Sequence, residues 1–264
     1  MSGLRIDRRD HEVWLTLDRP EVRNAFDDGL IARLTEAARQ LAPDPSVHVV
    51  VLQGAGPSFC AGADLAWMQR MRDYDRERNL ADAKAAAGMF HALAELPMPV
   101  VARVQGAALG GGAGLLAVSD IVVAADDAQF GFTEARLGIL PAVISPYVVR
   151  RIGITAARAL FLGAHRIDAR EAHRIGLVNE ICPSADLDAR VRARLDDLAL
   201  GAPTAHVATK GVLNTLAMLP DDGLRTYTAA VLAEQRVSDE GQEGLRAFLE
   251  KRTPRWHPRH SGDA

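Results

Sequence analysis

The sequence predicts an α/β fold, a parallel sheet covered by helices and followed by a helical C-terminal region. Three observations predict it. Short β-branched runs at residues 47–52, 100–104 and 121–125 have the character of strands buried on both faces. Glycine-containing loops and helical stretches separate them, the order expected when parallel strands are joined by crossovers. From about Ser145 the periodicity becomes helical, with one brief extended piece at residues 177–181.

The elements follow in order. Residues 4–8 and 13–17 alternate apolar and polar side chains about a polar turn, the pattern of a hairpin. Leu30, Ile31, Leu34, Ala37, Ala38 and Leu41 fall at helical spacing within residues 27–41, and Pro43 with Pro45 stops that helix. After the strand at 47–52 comes a glycine-containing loop at 54–62, then a mostly helical stretch at 64–96 that Pro97 and Pro99 break. The strand at 100–104 leads into a second glycine-rich turn, 106–114, and a short helix at 115–118. Asp168 with Glu171 forms a capping-box pattern, and Gly176 suits the other end of that helix. Helical patterns then cover residues 186–200, 204–218, 223–237 and 240–252. The organisation expected is an α/β core over residues 1–198 and a helical oligomerisation region over 199–264.

Composition narrows the function classes. With 31 Lys and Arg against 34 Asp and Glu, the net charge of −3 provides no field that would gather nucleic acid or anionic membrane. The two cysteines, Cys60 and Cys182, match neither a disulfide framework nor a metal-ligand spacing, and no apolar run reaches the length of a membrane span. A cytoplasmic protein without structural metal is expected.

Three loops have the make-up of a site. In Ser58-Phe59-Cys60-Ala61-Gly62-Ala63-Asp64-Leu65, small residues let the backbone approach a ligand, and amides at a helix start are free to meet a negatively charged oxygen. Asp64 is placed to cap that helix, although a simple tight turn accounts for the segment equally well. In Gln105 to Gly114, three consecutive glycines enter a helix at an entropic cost, so something there requires bare backbone, either a ligand or close packing. The turn spells neither the dinucleotide fingerprint nor the phosphate loop. In Gln129 to Ile139, Glu134 sits among apolar residues, where a carboxylate is solvated, paired with Arg136, or kept for work.

Together these segments resemble the crotonase (enoyl-CoA hydratase/isomerase) superfamily, from the N-terminal hairpin to about Arg252. The family's Asn-Ala turn stands as Arg23-Asn24-Ala25, its two oxyanion segments as Ala61-Gly62-Ala63-Asp64 and Gly110-Gly111-Gly112, and its base segment as Phe130 to Gly138. The resemblance implies a repeated ββα superhelical core with a C-terminal helical trimerisation region. It further implies that the amides of Ala63 and Gly111 hold the thioester oxygen of an acyl-CoA and that Glu134 is the catalytic carboxylate. Around the substrate it places Ala61, Gly62, Asp64, Leu65, Trp67, Gly110, Gly114 and Tyr147, with Arg23 and Ala25 near the adenosine phosphates of the coenzyme. Phe248 and Lys251 are implied to contribute from a neighbouring chain of a homotrimer or a dimer of trimers. No cofactor is implied beyond the coenzyme A carried by the substrate.

The chain departs from the best-known hydratases where they carry a second glutamate, since Gly114 stands there and cannot move a proton. That excludes a two-glutamate mechanism. Gly114, Glu134-Ala135-Arg136-Leu137-Gly138 and the Pro141 to Pro146 run are similar to the bacterial methylglutaconyl-CoA hydratases and their isohexenyl relatives. Hydration of such a branched 2-enoyl thioester is the activity expected. A double-bond isomerase of the same family, and a non-catalytic thioester-binding paralogue, stay open as alternatives. Trp67, Met68 and Met71 are candidates for an acyl-pocket wall, and Arg70, Arg72 and Arg136 for meeting a distal carboxylate. Cys60 reads as a small filler beside the first loop.

Overall fold

The computed structural model describes residues 3–216 and 221–257. The chain divides into two units, one of Met1–Leu96 with Val100–Val191 and one of Pro97–Pro99 with Arg192–Ala264.

In the first unit, β1 (Leu4–Arg9) and β2 (Glu12–Leu17) form the expected hairpin, with Leu4 opposite Leu17. From β2 outward the pairing is parallel: β3 (Val49–Gly54), β4 (Val100–Val104), β6 (Ile121–Ala125) and β9 (Glu180–Cys182) follow in that order across a six-stranded sheet. Val50, Val51, Val101, Val122 and Val123 are buried, as strands covered on both faces require. Three short strands make a second sheet, β5 (Ala107–Leu109) parallel to β7 (Gln129–Gly131), and β7 antiparallel to β8 (Arg166–Asp168). None of these three was legible as a strand, because three residues are too few to establish a period.

Helix α1 (Asp28–Leu41) buries the six apolar residues of the predicted stripe, and the carboxylate of Asp27 caps it by accepting from the Leu30 amide at 2.7 Å. The stretch expected to be one helix from 64 to 96 is two, α2 (Leu65–Arg72) and α3 (Arg76–Ala94). Asp75 divides them, because its side chain accepts from the Arg78 amide and starts a new helix. Helix α4 (Gly111–Ala117) begins four residues earlier than glycine propensity suggests. Packing overrides propensity: a methyl group at residue 112 would lie 2.4 Å from the Cys60 carbonyl oxygen. Helices α5 (Ser145–Gly163) and α6 (Ala169–Arg174) follow, and Asp168 caps α6 through the Glu171 amide.

The division between units falls within α7 (Leu187–Ala199). In the second unit are α8 (Pro203–Leu216), α9 (Asp221–Val237) and α10 (Asp239–Glu250). Met218, where the second of the expected C-terminal helices was to end, lies outside the described residues. Ser238 caps α10, and Arg252 clamps Glu243 at 2.8 Å, holding that carboxyl down at about 2. Leu245, Phe248 and Leu249 of α10 are exposed. Among the described residues, no helix is long and apolar enough to cross a membrane.

Candidate active site

The site is built where the first two glycine-containing loops meet. Asn24, fully buried, fixes one side: its Nδ2 donates to the carbonyls of Ala55 and Ser58, each at 2.8 Å, and its Oδ1 accepts from the Arg19 amide. The Arg23 carbonyl accepts from Ala61, and Phe26 exchanges hydrogen bonds with the first loop, its amide to Gly62 at 2.7 Å and its carbonyl from Asp64 at 2.8 Å. Asp64 caps α2 as expected, accepting from Ala66 and Trp67, and its second oxygen binds Arg19 at 2.9 Å. Asp64 therefore holds the loop rather than facing a substrate.

Cys60 links the two loops, donating its amide to the Ala107 carbonyl and accepting from Leu109, both at 2.9 Å. Its thiol is pushed up to about 12 by burial, which leaves it a filler with no thiolate at neutral pH.

The three glycines at 110–112 turn out to be needed for three different reasons. Gly110 has φ +52°, and a methyl group there would lie 3.1 Å from Oε1 of Glu134. At Gly111 it would lie 3.0 Å from the Phe26 ring, and at Gly112 it would strike Cys60. The same constructed methyl on Gly110 lies 3.9 Å from the Gly62 Cα, so both loops and the Glu134 carboxylate converge within a few ångströms. Among the described residues, the Ala63 and Gly111 amides have no acceptor within the chain.

These groups open into a cavity of about 130 Å³ lined by Ala63, Gly111 and Glu134 together with apolar side chains from α1, α2, α3 and residues 140–144. Glu134 stands in the short turn Glu134–Leu137 that follows β7. Burial pushes its carboxyl above the ordinary glutamate range, its own backbone amide offsets part of that rise, and Oε2 is buried without a hydrogen-bond partner. A raised carboxylate beside free amides in an apolar cavity can exchange a proton with a carbon while the amides stabilise charge on a nearby oxygen.

Of the other expected residues, Trp67 lines the cavity, whereas Met68 and Met71 do not. Arg23, Ala25, Ala61, Gly62, Asp64, Leu65, Gly110 and Gly114 surround or support it without forming the lining. Tyr147 contacts the lining indirectly, its ring 6.5 Å from that of Phe90. Phe248 and Lys251 lie in the second unit, Phe248 82% exposed and Lys251 ending α10. Sequence reasoning missed Phe26, Ile31, Ala86, Met89 and Phe90 as lining residues. The only available signal was the stripe on α1 that includes Ile31, and it says buried, not cavity-facing. Gly114 has no room for a side chain, since a methyl group there would lie 2.4 Å from Cγ2 of Ile144.

The enoyl-CoA hydratase/isomerase family model matches residues 12–259. Among solved structures, AtuE of Pseudomonas aeruginosa superposes with a TM-score of 0.94 at 41% identity, covering 96% of this chain and 99% of that one. An enoyl-CoA hydratase of Shewanella pealeana gives a TM-score of 0.92 at 38% identity, covering 96% of each chain. The 2,3-dehydroadipyl-CoA hydratase of Escherichia coli is 33% identical, over 96% of this chain and 98% of its own. The α/β architecture of these neighbours is the one the motifs imply.

Proposed function

The chain belongs to the enoyl-CoA hydratase/isomerase family, and from that premise we propose that it adds water across a branched 2-enoyl-CoA thioester with Glu134 as the single acid–base group. What supports this reading is the convergence of one carboxylate and two unpaired amides on one apolar cavity.

In the proposed reaction, the Ala63 and Gly111 amides donate to the thioester oxygen as charge builds on it. Each such donor is worth about 10²–10³ in rate. The Glu134 carboxylate takes a proton from water as its oxygen attacks the β-carbon, and returns a proton to the α-carbon of the enolate. The resulting 3-hydroxyacyl thioester contains both atoms of the added O–H bond, so the carboxylate ends as it began. Gly114 and Ile144 favour a single-carboxylate route, because the volume a second acid would need is filled by Ile144.

A branched acyl group, the feature the methylglutaconyl-type resemblance predicts, suits a short cavity walled by Phe26, Trp67, Met89 and Phe90. The implied roles of Arg23 and Ala25 toward the coenzyme, and of Phe248 and Lys251 toward a neighbouring copy's coenzyme in a trimer or hexamer, belong to the same proposal. The exposed apolar residues of α10 suit such an assembly. Offering purified protein a conjugated and a non-conjugated enoyl-CoA tests the reaction. Loss of the conjugated absorbance with formation of 3-hydroxyacyl-CoA supports hydration. Interconversion of the two isomers without hydration refutes it.

A further inference from the structure

We propose that the cavity selects an acyl chain with an uncharged end and rejects one that ends in a carboxylate. The inference rests on the hydratase reading for its chemistry but on the cavity wall for its selectivity, and it departs from the methylglutaconyl-type expectation, whose acyl group ends in a carboxylate.

Apart from Glu134 at the reacting end, every side chain of the lining is uncharged, and Ile31, Trp67, Ala86, Met89 and Ile144 offer no cation to a distal carboxylate.

The arginines that sequence placed nearby are committed elsewhere or lie outside. Arg70 gives its guanidinium to Asp28 at 2.9 Å, and Arg72 gives its own to Asp73 at 3.2 Å. Arg136 is exposed and takes no part in the lining. Asp82, beside the Trp67 indole, has its carboxyl raised by burial first and by the charge of Asp28, while the indole, Arg70 and Arg78 act the other way. Arg78 itself lies over the Tyr74 ring at 3.9 Å. A carboxylate driven into this cavity would be desolvated with no partner among the lining side chains.

Two pairs of thioesters, matched in shape and differing by a methyl for a carboxylate, test this on the whole protein: 3-methylpent-2-enoyl-CoA against 3-methylglutaconyl-CoA, and hex-2-enoyl-CoA against 2,3-dehydroadipyl-CoA. The uncharged member of each pair is expected to have a kcat/KM at least about 100-fold higher. A ratio below about threefold, or a preference for the carboxylate, overturns the inference. A second arm does not depend on hydration. Saturated 3-methylpentanoyl-CoA should displace a bound fluorescent acyl-CoA at a concentration at least tenfold lower, by the same desolvation argument, than 3-methylglutaryl-CoA. Equal displacement overturns the selectivity, whereas unequal displacement with no turnover of either pair leaves it standing and removes the hydratase reading instead.

Discussion

Adding one methyl group at residue 114 tests the packing that leaves the site with a single carboxylate. In Gly114→Ala the new Cβ would stand 2.4 Å from Cγ2 of Ile144 and 3.1 Å from Cε1 of Phe90. Carbon atoms in contact settle at about 3.5–4.0 Å, so Ile144 must retreat by about 1 Å. Overpacking of this kind costs about 1–3 kcal/mol. The helix interior returns up to about 1 kcal/mol because alanine loses less backbone entropy than glycine. The net loss is about 1–2 kcal/mol, which for a chain of this length lowers Tm by about 2–8 °C. Ile144→Ala alone should cost about 2–5 kcal/mol for its cavity. Combined with Gly114→Ala it should cost less than the sum, with a coupling of about 1–3 kcal/mol, because the methyl then occupies vacated space. Urea denaturation of the four proteins measures that coupling. Additivity within about 0.3 kcal/mol would refute the claim that residue 114 and Ile144 compete for one volume.

Four further outcomes follow from the same geometry. The kcat/KM should fall on acidification through a pKa above the ordinary glutamate range, because only ionised Glu134 accepts the proton from water; a rate independent of pH from 5 to 8 contradicts this. By linkage, a carboxyl whose folded pKa is raised favours the native state at pH below its unfolded pKa and loses that contribution as pH rises through the folded value. Glu134→Gln should therefore raise Tm at neutral pH and change it little in acid, as a thermal melt at each pH will read. Gly110→Ala places a side chain at φ +52° and against Glu134, so activity should drop by about 10² or more while circular dichroism shows a folded protein; unchanged turnover contradicts the loop geometry. Asp64→Ala removes the α2 cap and leaves the largely buried Arg19 with Asp27 as its remaining carboxylate, a loss of about 2–4 kcal/mol, while Asp64→Asn should lose less because its carbonyl still caps. Denaturation midpoints distinguish the two.

Much of this architecture was readable before any coordinates. The β-branched runs identified β3, β4 and β6 because a strand covered on both faces needs apolar side chains at every position. The apolar stripe of α1 was complete for the matching reason at helical period. What stayed hidden was short or set by distant contacts. β5, β7 and β8 hold together through partners more than twenty residues away, and α4 starts on glycines because Cys60 presses against it. The break at Asp75 did have a signal, a capping residue ahead of a charged first turn, which the continuous helical pattern masked.

Within the candidate site, Glu134, Ala63 and Gly111, singled out by the family resemblance, and Trp67, a candidate wall residue, all line the cavity. Phe26, Met89 and Phe90 were not legible, since sequence tells that an apolar residue is buried but not which cavity it walls. Met71, one turn beyond Trp67, was a candidate for the wall, with core packing as the other reading of that stripe. Helix α2 ends at Arg72, and the wall is completed by α3 instead.

Glu134→Gln keeps the shape of that side chain and removes its basicity, so the hydration rate of the variant measures directly whether one carboxylate does the proton chemistry. The rate should fall by about 10²–10⁴ while a saturated acyl-CoA binds as tightly as before. A folded variant that hydrates at close to the parent rate would contradict the account.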